Sequence, residues 1–81
     1  MIRELEMIVL KHDIPEYGLR GGDIGVVVHS YSPHGSEKAG YEVEFVTAEG
    51  KTIALLTLRT PDIRAMNSSE ILHVREFSQA A

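Results

Sequence analysis

Four histidines, His12, His29, His34 and His73, with Asp13 and Asp23 close by in sequence, are the residues that could hold a metal or move a proton. A protein metal site gathers at least three such ligands, with some of them closely spaced on one element. Only His29 and His34 approach that spacing, and Pro33 separates them, so no metal site and no cofactor is expected. Ser30, Ser32 and Ser36 lie near His29 and His34 as a nucleophile lies near its base in acyl transfer. No oxyanion-hole signature accompanies them, and a chain this small rarely encloses a water-excluding pocket, so no catalytic residue is expected and the chain is read as a non-enzyme. The run Gly21-Gly22-Asp23-Ile24-Gly25 has the look of a phosphate cradle. A phosphate loop, however, opens a helix and carries Lys with Ser or Thr, whereas here a valine-rich run follows and no lysine is near. The run reads as a tight turn in which Asp23 accepts backbone hydrogen bonds.

Binding chemistry is better represented. Tyr17 sits in a glycine-rich loop and Tyr31 ends a valine-rich run beside Pro33 and His34, positions from which aromatic side chains can contact a peptide partner. The alternative is that both rings pack their loops onto the domain. Glu42 and Glu44 alternate on one strand, with Glu37 and Glu49 nearby. They form either a solvated outer face or an acidic patch for a basic partner such as a toxin or a nucleic-acid-binding protein.

The elements that position these residues are short. The 81 residues carry 8 Lys+Arg against 12 Asp+Glu, a net charge of −4, with 43% hydrophobic residues and no cysteine. One domain fits this length, and zinc ribbons, redox motifs and cystine scaffolds are excluded. The acidic balance argues against a phosphate-backbone binder, and so against nucleic acid as the partner. Acidic residues near Met1 and no apolar run approaching ~20 residues point to a cytoplasmic protein without a membrane span. Runs at 6–11, 23–31, 41–45 and 52–58 carry strand signals, the last two joined by a tight turn at Ala48-Glu49-Gly50. Residues 12–22 form a long folded-back loop, and 32–40 a polar loop. Thr60 and Pro61 predict a single 3₁₀ turn, with Thr60 as its cap. In the tail, Asn67 and Glu70 suit a capping box that would open a short helix, but Ile71, Leu72, Val74 and Phe77 fit an alternating strand as well, pairing with another edge such as the N-terminal one.

These elements describe an all-β chain: a small five-stranded SH3-like barrel over residues 1–66, with a long loop after the first strand, a 3₁₀ turn near Pro61 and a C-terminal extra strand or short helix. Residues 67–81 are an extension that packs on the barrel or on a second chain. The expected core is Ile8 or Val9, Ile24, Val26, Val28, Tyr41, Val43, Phe45, Ile53, Leu55 and Ile63. That alternation leaves Val27, Val46, Ala54, Leu56 and Leu58 on the outer face, a contiguous apolar patch. A chain of this size buries only ~60–65% of its unfolded surface, so a second chain over such a patch would supply missing stability. Self-association, most simply a twofold dimer, is expected through Val27, Val46, Leu56 and Leu58 together with Leu72 and Val74 of the tail.

The run from Leu19 to Val28 resembles the G-D-x-G-x-V-V turn of several SH3-like barrels. Together with Asp13-Ile14-Pro15-Glu16-Tyr17-Gly18-Leu19, Tyr41-Glu42-Val43-Glu44-Phe45-Val46, Thr52-Ile53-Ala54-Leu55-Leu56-Thr57-Leu58 and Glu70-Ile71-Leu72-His73-Val74-Arg75, it is similar to a small bacterial family known as domain of unknown function 4926. The resemblance implies an SH3-like barrel, no established activity and no catalytic residue to carry over. Its members' occurrence as small stand-alone proteins beside accessory genes is compatible with partner binding. The expected function is a non-enzymatic protein-interaction module that self-associates and uses residues 13–22 and 32–40, in a specialised version antitoxin- or immunity-like. The alternatives are a nucleic-acid-associated small barrel and a small-molecule binder.

Overall fold

The computed structural model describes residues 2–31 and 39–78. Five strands, β1 (Met7–Leu10), β2 (Ile24–Tyr31), β3 (Gly40–Val46), β4 (Thr52–Arg59) and β5 (Ile63–Ala65), form one antiparallel sheet in the order β4-β3-β2-β1-β5. Two 3₁₀ turns interrupt the connections, Pro15–Tyr17 in the loop after β1 and Thr60–Asp62 ahead of β5. The chain is therefore all-β, as expected. The cap of the second turn is Arg59 and not Thr60, and Asp62 closes it by accepting the Arg59 N–H at 3.0 Å.

Ile8, Leu10, Val27, Val43, Phe45 and Ile63 are the largest fully buried side chains, and Leu19, Tyr41, Ala54 and Leu58 complete the core. This corrects the expected parity in two strands. Residues directly paired in a sheet share a face. Tyr41, Val43 and Phe45 face the core from β3, so their partners Leu58, Leu56 and Ala54 in β4, and Val27 opposite Val43 in β2, face it too. Val27 is completely buried, Leu58 is buried and Leu56 is half-buried against the core, so none of the three offers the outward apolar patch expected of it. Val28 and Leu55, expected inside, are exposed instead.

Two features disguised the parity. The core side of β2 runs through Gly25, which has no side chain to signal burial. A β carbon there would lie 2.5 Å from Val43 Cγ1 and 2.9 Å from Phe45 Cε1, so glycine is what lets those two side chains close over the strand. In β4 the register slips where Phe45 pairs with Ala54 but Val46 with Thr52, leaving Ile53 as an extra residue that packs against the core from the opposite parity.

The closing strand also differs from expectation. β5 is only three residues long and pairs with β1 (Leu10 opposite Ile63, Ile8 opposite Ala65), so the partner of the N-terminal strand lies just after the 3₁₀ turn and not in the tail. Residues 71–78 form neither helix nor strand. Asn67 and Glu70 do make cap-like bonds: Glu70 Oε1 accepts the Asn67 N–H at 2.8 Å, while Asn67 Oδ1 accepts the Ser69 N–H at 2.9 Å. No helix follows: beyond these residues the chain has no regular structure, and Arg75 is bound at the loop after β1.

Candidate functional site

The loop at residues 11–23 is folded tightly before it meets the tail. Ile14 and Leu19 bridge across it (N···O 2.9 and 3.1 Å), and Gly18 takes a left-handed conformation, φ 71°, at the end of the first 3₁₀ turn. Asp13 Oδ1 accepts the Gly21 N–H at 2.8 Å, and Asp23 Oδ2 accepts the Arg20 N–H at 2.8 Å, the tight-turn role read from the sequence. Buried Leu19 ties the loop to the core.

Onto this loop the tail sets down an arginine. Arg75 Nε donates to Asp23 Oδ1 at 2.7 Å and Arg75 Nη2 to Asp23 Oδ2 at 2.5 Å, a two-pronged guanidinium–carboxylate pair. Nη2 also donates to the Gly18 carbonyl at 2.9 Å. Partial burial pushes the Asp23 carboxyl up, but the Arg75 guanidinium and the Arg20 N–H outweigh it and hold the group below its ordinary value. Phe77 lies directly over Gly18, where a β carbon would come within 2.9 Å of its Cε1, so the positive φ favours glycine and any side chain there would have to displace the ring.

Between this loop and the turn joining β3 to β4 runs an open groove of about 420 Å³. Leu19, Ile24, Phe45, Val46 and Ile53 give it an apolar lining, Asp23 gives it one carboxylate, and the tail borders it through His73, Val74, Arg75 and Phe77. The tail does not bury its own apolar side chains there: Ile71, Leu72 and Val74 are 88%, 55% and 93% exposed. An apolar trough with one oriented anionic group suits an extended peptide with a cationic side chain.

Sequence-predicted site residues are brought together only in part. Val46 and Val74 line this groove, and Leu72 belongs to the same tail segment; Val46 is 46% exposed. Tyr17 and Tyr31 are exposed but neither lines it, Tyr31 packing edge-to-face on His29 with ring centroids 4.5 Å apart. Glu42 and Glu44 are half-buried on the side of β3 away from the core; Glu42 lies opposite His29 and Thr57, and Glu44 accepts the Thr52 hydroxyl at 2.7 Å. His34, with Ser32, Ser36 and Glu37, lies outside the described residues. Among the described residues no three His, Asp or Glu side chains converge as metal ligands would, and no helix is long and apolar enough to cross a membrane.

The family's sequence profile matches residues 4–65, well over half of the chain. The chain belongs to domain of unknown function 4926. No curated protein and no solved structure matches it. In this member of domain of unknown function 4926 the matched region supplies Gly18, Asp23 and the apolar lining of the groove, whereas Arg75 and Phe77 come from beyond it. The pairing of these tail residues with the loop was missed in the sequence, where Arg75 stood only in the segment resembling the family and Phe77 only in the alternating pattern of the tail. The partners stand 52 positions apart, and nothing local to either announces the other.

Proposed function

We propose that this chain is a non-enzymatic protein-interaction module whose contact surface is the groove between the β1–β2 loop and the β3–β4 turn. One observation carries the reading: the chain's own tail forms one wall of the groove, set down there by an arginine on Asp23 and an aromatic ring over Gly18. The sheet order, the long loop after β1 and the 3₁₀ turn before β5 support an SH3-like barrel as the underlying architecture; the cytoplasm is its proposed setting. Self-association belongs to the same proposal, now through Val46 at the groove and Leu72 and Val74 on the tail, the three expected interface positions that stand exposed. A nucleic-acid role is less well supported, since Arg64 and Arg75 are both paired with carboxylates and the net charge is −4.

The test is affinity capture from a lysate of the source organism on the immobilised full-length chain, quantified against the Val46→Glu variant. A charged side chain at this exposed groove position leaves the core intact, and retention of specific proteins is expected to fall about tenfold or more, the loss of a central interface contact. Equal retention by wild type and variant would remove the groove from the reading.

A further inference from the structure

The tail that borders the groove is attached to the domain by few contacts. Among the described residues no backbone-to-backbone hydrogen bond joins residues 71–78 to the sheet or its loops. The segment is held at its far end only, by Arg75 on Asp23 and Gly18 and by Phe77 over Gly18. At its near end the chain turns at Asn67, pinned by the Arg64 guanidinium gripping both Glu70 carboxylate oxygens at 2.8 and 2.6 Å. Between these two anchors Ile71, Leu72 and Val74 project into solvent.

We propose that Asp23 and the Gly18 carbonyl form an arginine-reading subsite for an extended Arg-x-aromatic segment, and that its second occupant, besides the chain's own tail, is the tail of another copy of this chain. This deepens the reading of the groove as a contact surface and rests on it. Three features support a second copy. The contacts are side-chain contacts to a preformed loop, so a tail arriving from another chain makes the same ones. Every copy carries both the subsite and the segment that fits it, so exchange is reciprocal and closes as a twofold dimer without a new interface. The exchanged arrangement also offers Ile71, Leu72 and Val74 a second molecular surface, which the tail on its own chain does not have. Against this stands the tether, which gives the chain's own tail an effective concentration on the order of millimolar, so exchange grows with protein concentration.

Two measurements test the proposal, both on full-length chains. First, a fluorescein-labelled peptide of residues 70–78 is titrated into the Arg75→Ala/Phe77→Ala chain, whose own tail is released. Saturable binding is expected, about tenfold or more weaker when the peptide's arginine is replaced by alanine, the usual scale for a charge-assisted pair. Both peptides meet the same protein, so their difference does not depend on comparing one chain variant with another. Second, Asp23→Asn (subsite lost, tail intact) and Arg75→Ala (tail lost, subsite intact) are examined by light scattering singly and mixed. Wild type is expected to dimerise with concentration, each variant alone to stay monomeric, and the mixture to regain dimer, because one chain's tail meets the other's subsite. Failure of the peptide to bind, or equal binding of its alanine form, overturns the subsite. Peptide binding with a monomeric mixture overturns the second copy as occupant. Either failure can occur while lysate capture still depends on Val46, which separates this proposal from the broader one.

Discussion

Gly25 is the position at which the fold can be tested most sharply. Replacing it by alanine adds one methyl group, which would stand 2.5 Å from Val43 Cγ1, 2.9 Å from Phe45 Cε1 and 3.2 Å from Glu44 O. The first two atoms belong to fully or nearly fully buried side chains, and the third to the backbone of a paired strand, so none is free to swing away. Two effects oppose each other. Alanine restricts the unfolded chain and stabilises by about 0.4–1 kcal/mol where the native backbone accepts it. Overpacking a filled core typically costs about 1–3 kcal/mol, and contacts this short belong at the upper end. The net expectation is destabilisation of about 2 kcal/mol, or a melting temperature lowered by roughly 8–16 °C for a domain of this size. Thermal unfolding followed by circular dichroism, with urea titration to confirm an unchanged m value, measures it directly. A Val43→Ala partner supplies the cross-check. Removing Cγ1 relieves the clash, so Gly25→Ala should cost less in that background, by on the order of 1 kcal/mol. Gly25→Ala melting with wild type, or above it, would refute both the core-facing placement of Gly25 and the corrected parity of β2.

Two further outcomes rest on single residues. Leu5 has φ 68° yet its side chain is 80% exposed, so it bears the left-handed cost of roughly 1–2 kcal/mol with little burial in return. Leu5→Asn is expected to stabilise by about 0.5–1 kcal/mol, seen as a melting temperature a few degrees higher; a lower one would contradict the strain. His12 Nε2 lies 2.8 Å from Asp62 Oδ1, and that hydrogen bond together with the Asp13 carbonyl raises the His12 pKa above 6.5, while His12 lowers that of Asp62 below 3.8. The raised histidine contributes stability that is complete below pH 6.5 and is lost as pH rises through its folded value; the depressed carboxylate contributes above pH 3.8 and loses its share as pH falls below it. An NMR titration should find the His12 midpoint above 6.5 and returned toward it in Asp62→Asn, and an unmoved midpoint would mean the contact does not persist in solution.

How far the fold was legible depends on what each residue type could announce. Met7–Leu10, Tyr41, Val43 and Phe45 advertise strands by β-branched or alternating side chains, and the structure has them. The 3₁₀ turn at Pro61 is announced by the proline's fixed φ. The misleading places were those where the informative atom is missing or the rule is interrupted. Gly25 is silent about burial, the irregularity at Ile53 shifts the period of β4, and β5 is too short to show a period at all. The tail misled differently, for its capping residues do form their hydrogen bonds while a distant carboxylate decides the path of the chain beyond them. Asp23 was read correctly as a turn-maker, but its grip on Arg75 is a property of the folded chain alone.

That double use of Asp23 bears on whether the arginine subsite can exchange occupants. Its Oδ2 accepts from the Arg20 N–H and from Arg75, and its Oδ1 from Arg75 only. Removing Arg75 therefore leaves the carboxylate still tied to the turn, immediately ahead of Ile24, which is fixed in the sheet opposite Val9. The Gly18 carbonyl is likewise oriented by the Ile14–Leu19 bridge and the 3₁₀ turn before it, neither of which involves the tail. Both acceptors thus keep their direction when the tail departs, and an incoming arginine does not have to organise them. A site preorganised by its own loop avoids the ordering cost that a floppy loop would impose on every ligand. The tail is then a ligand of the domain and not part of its scaffold, which is the condition a second chain's tail needs to take its place.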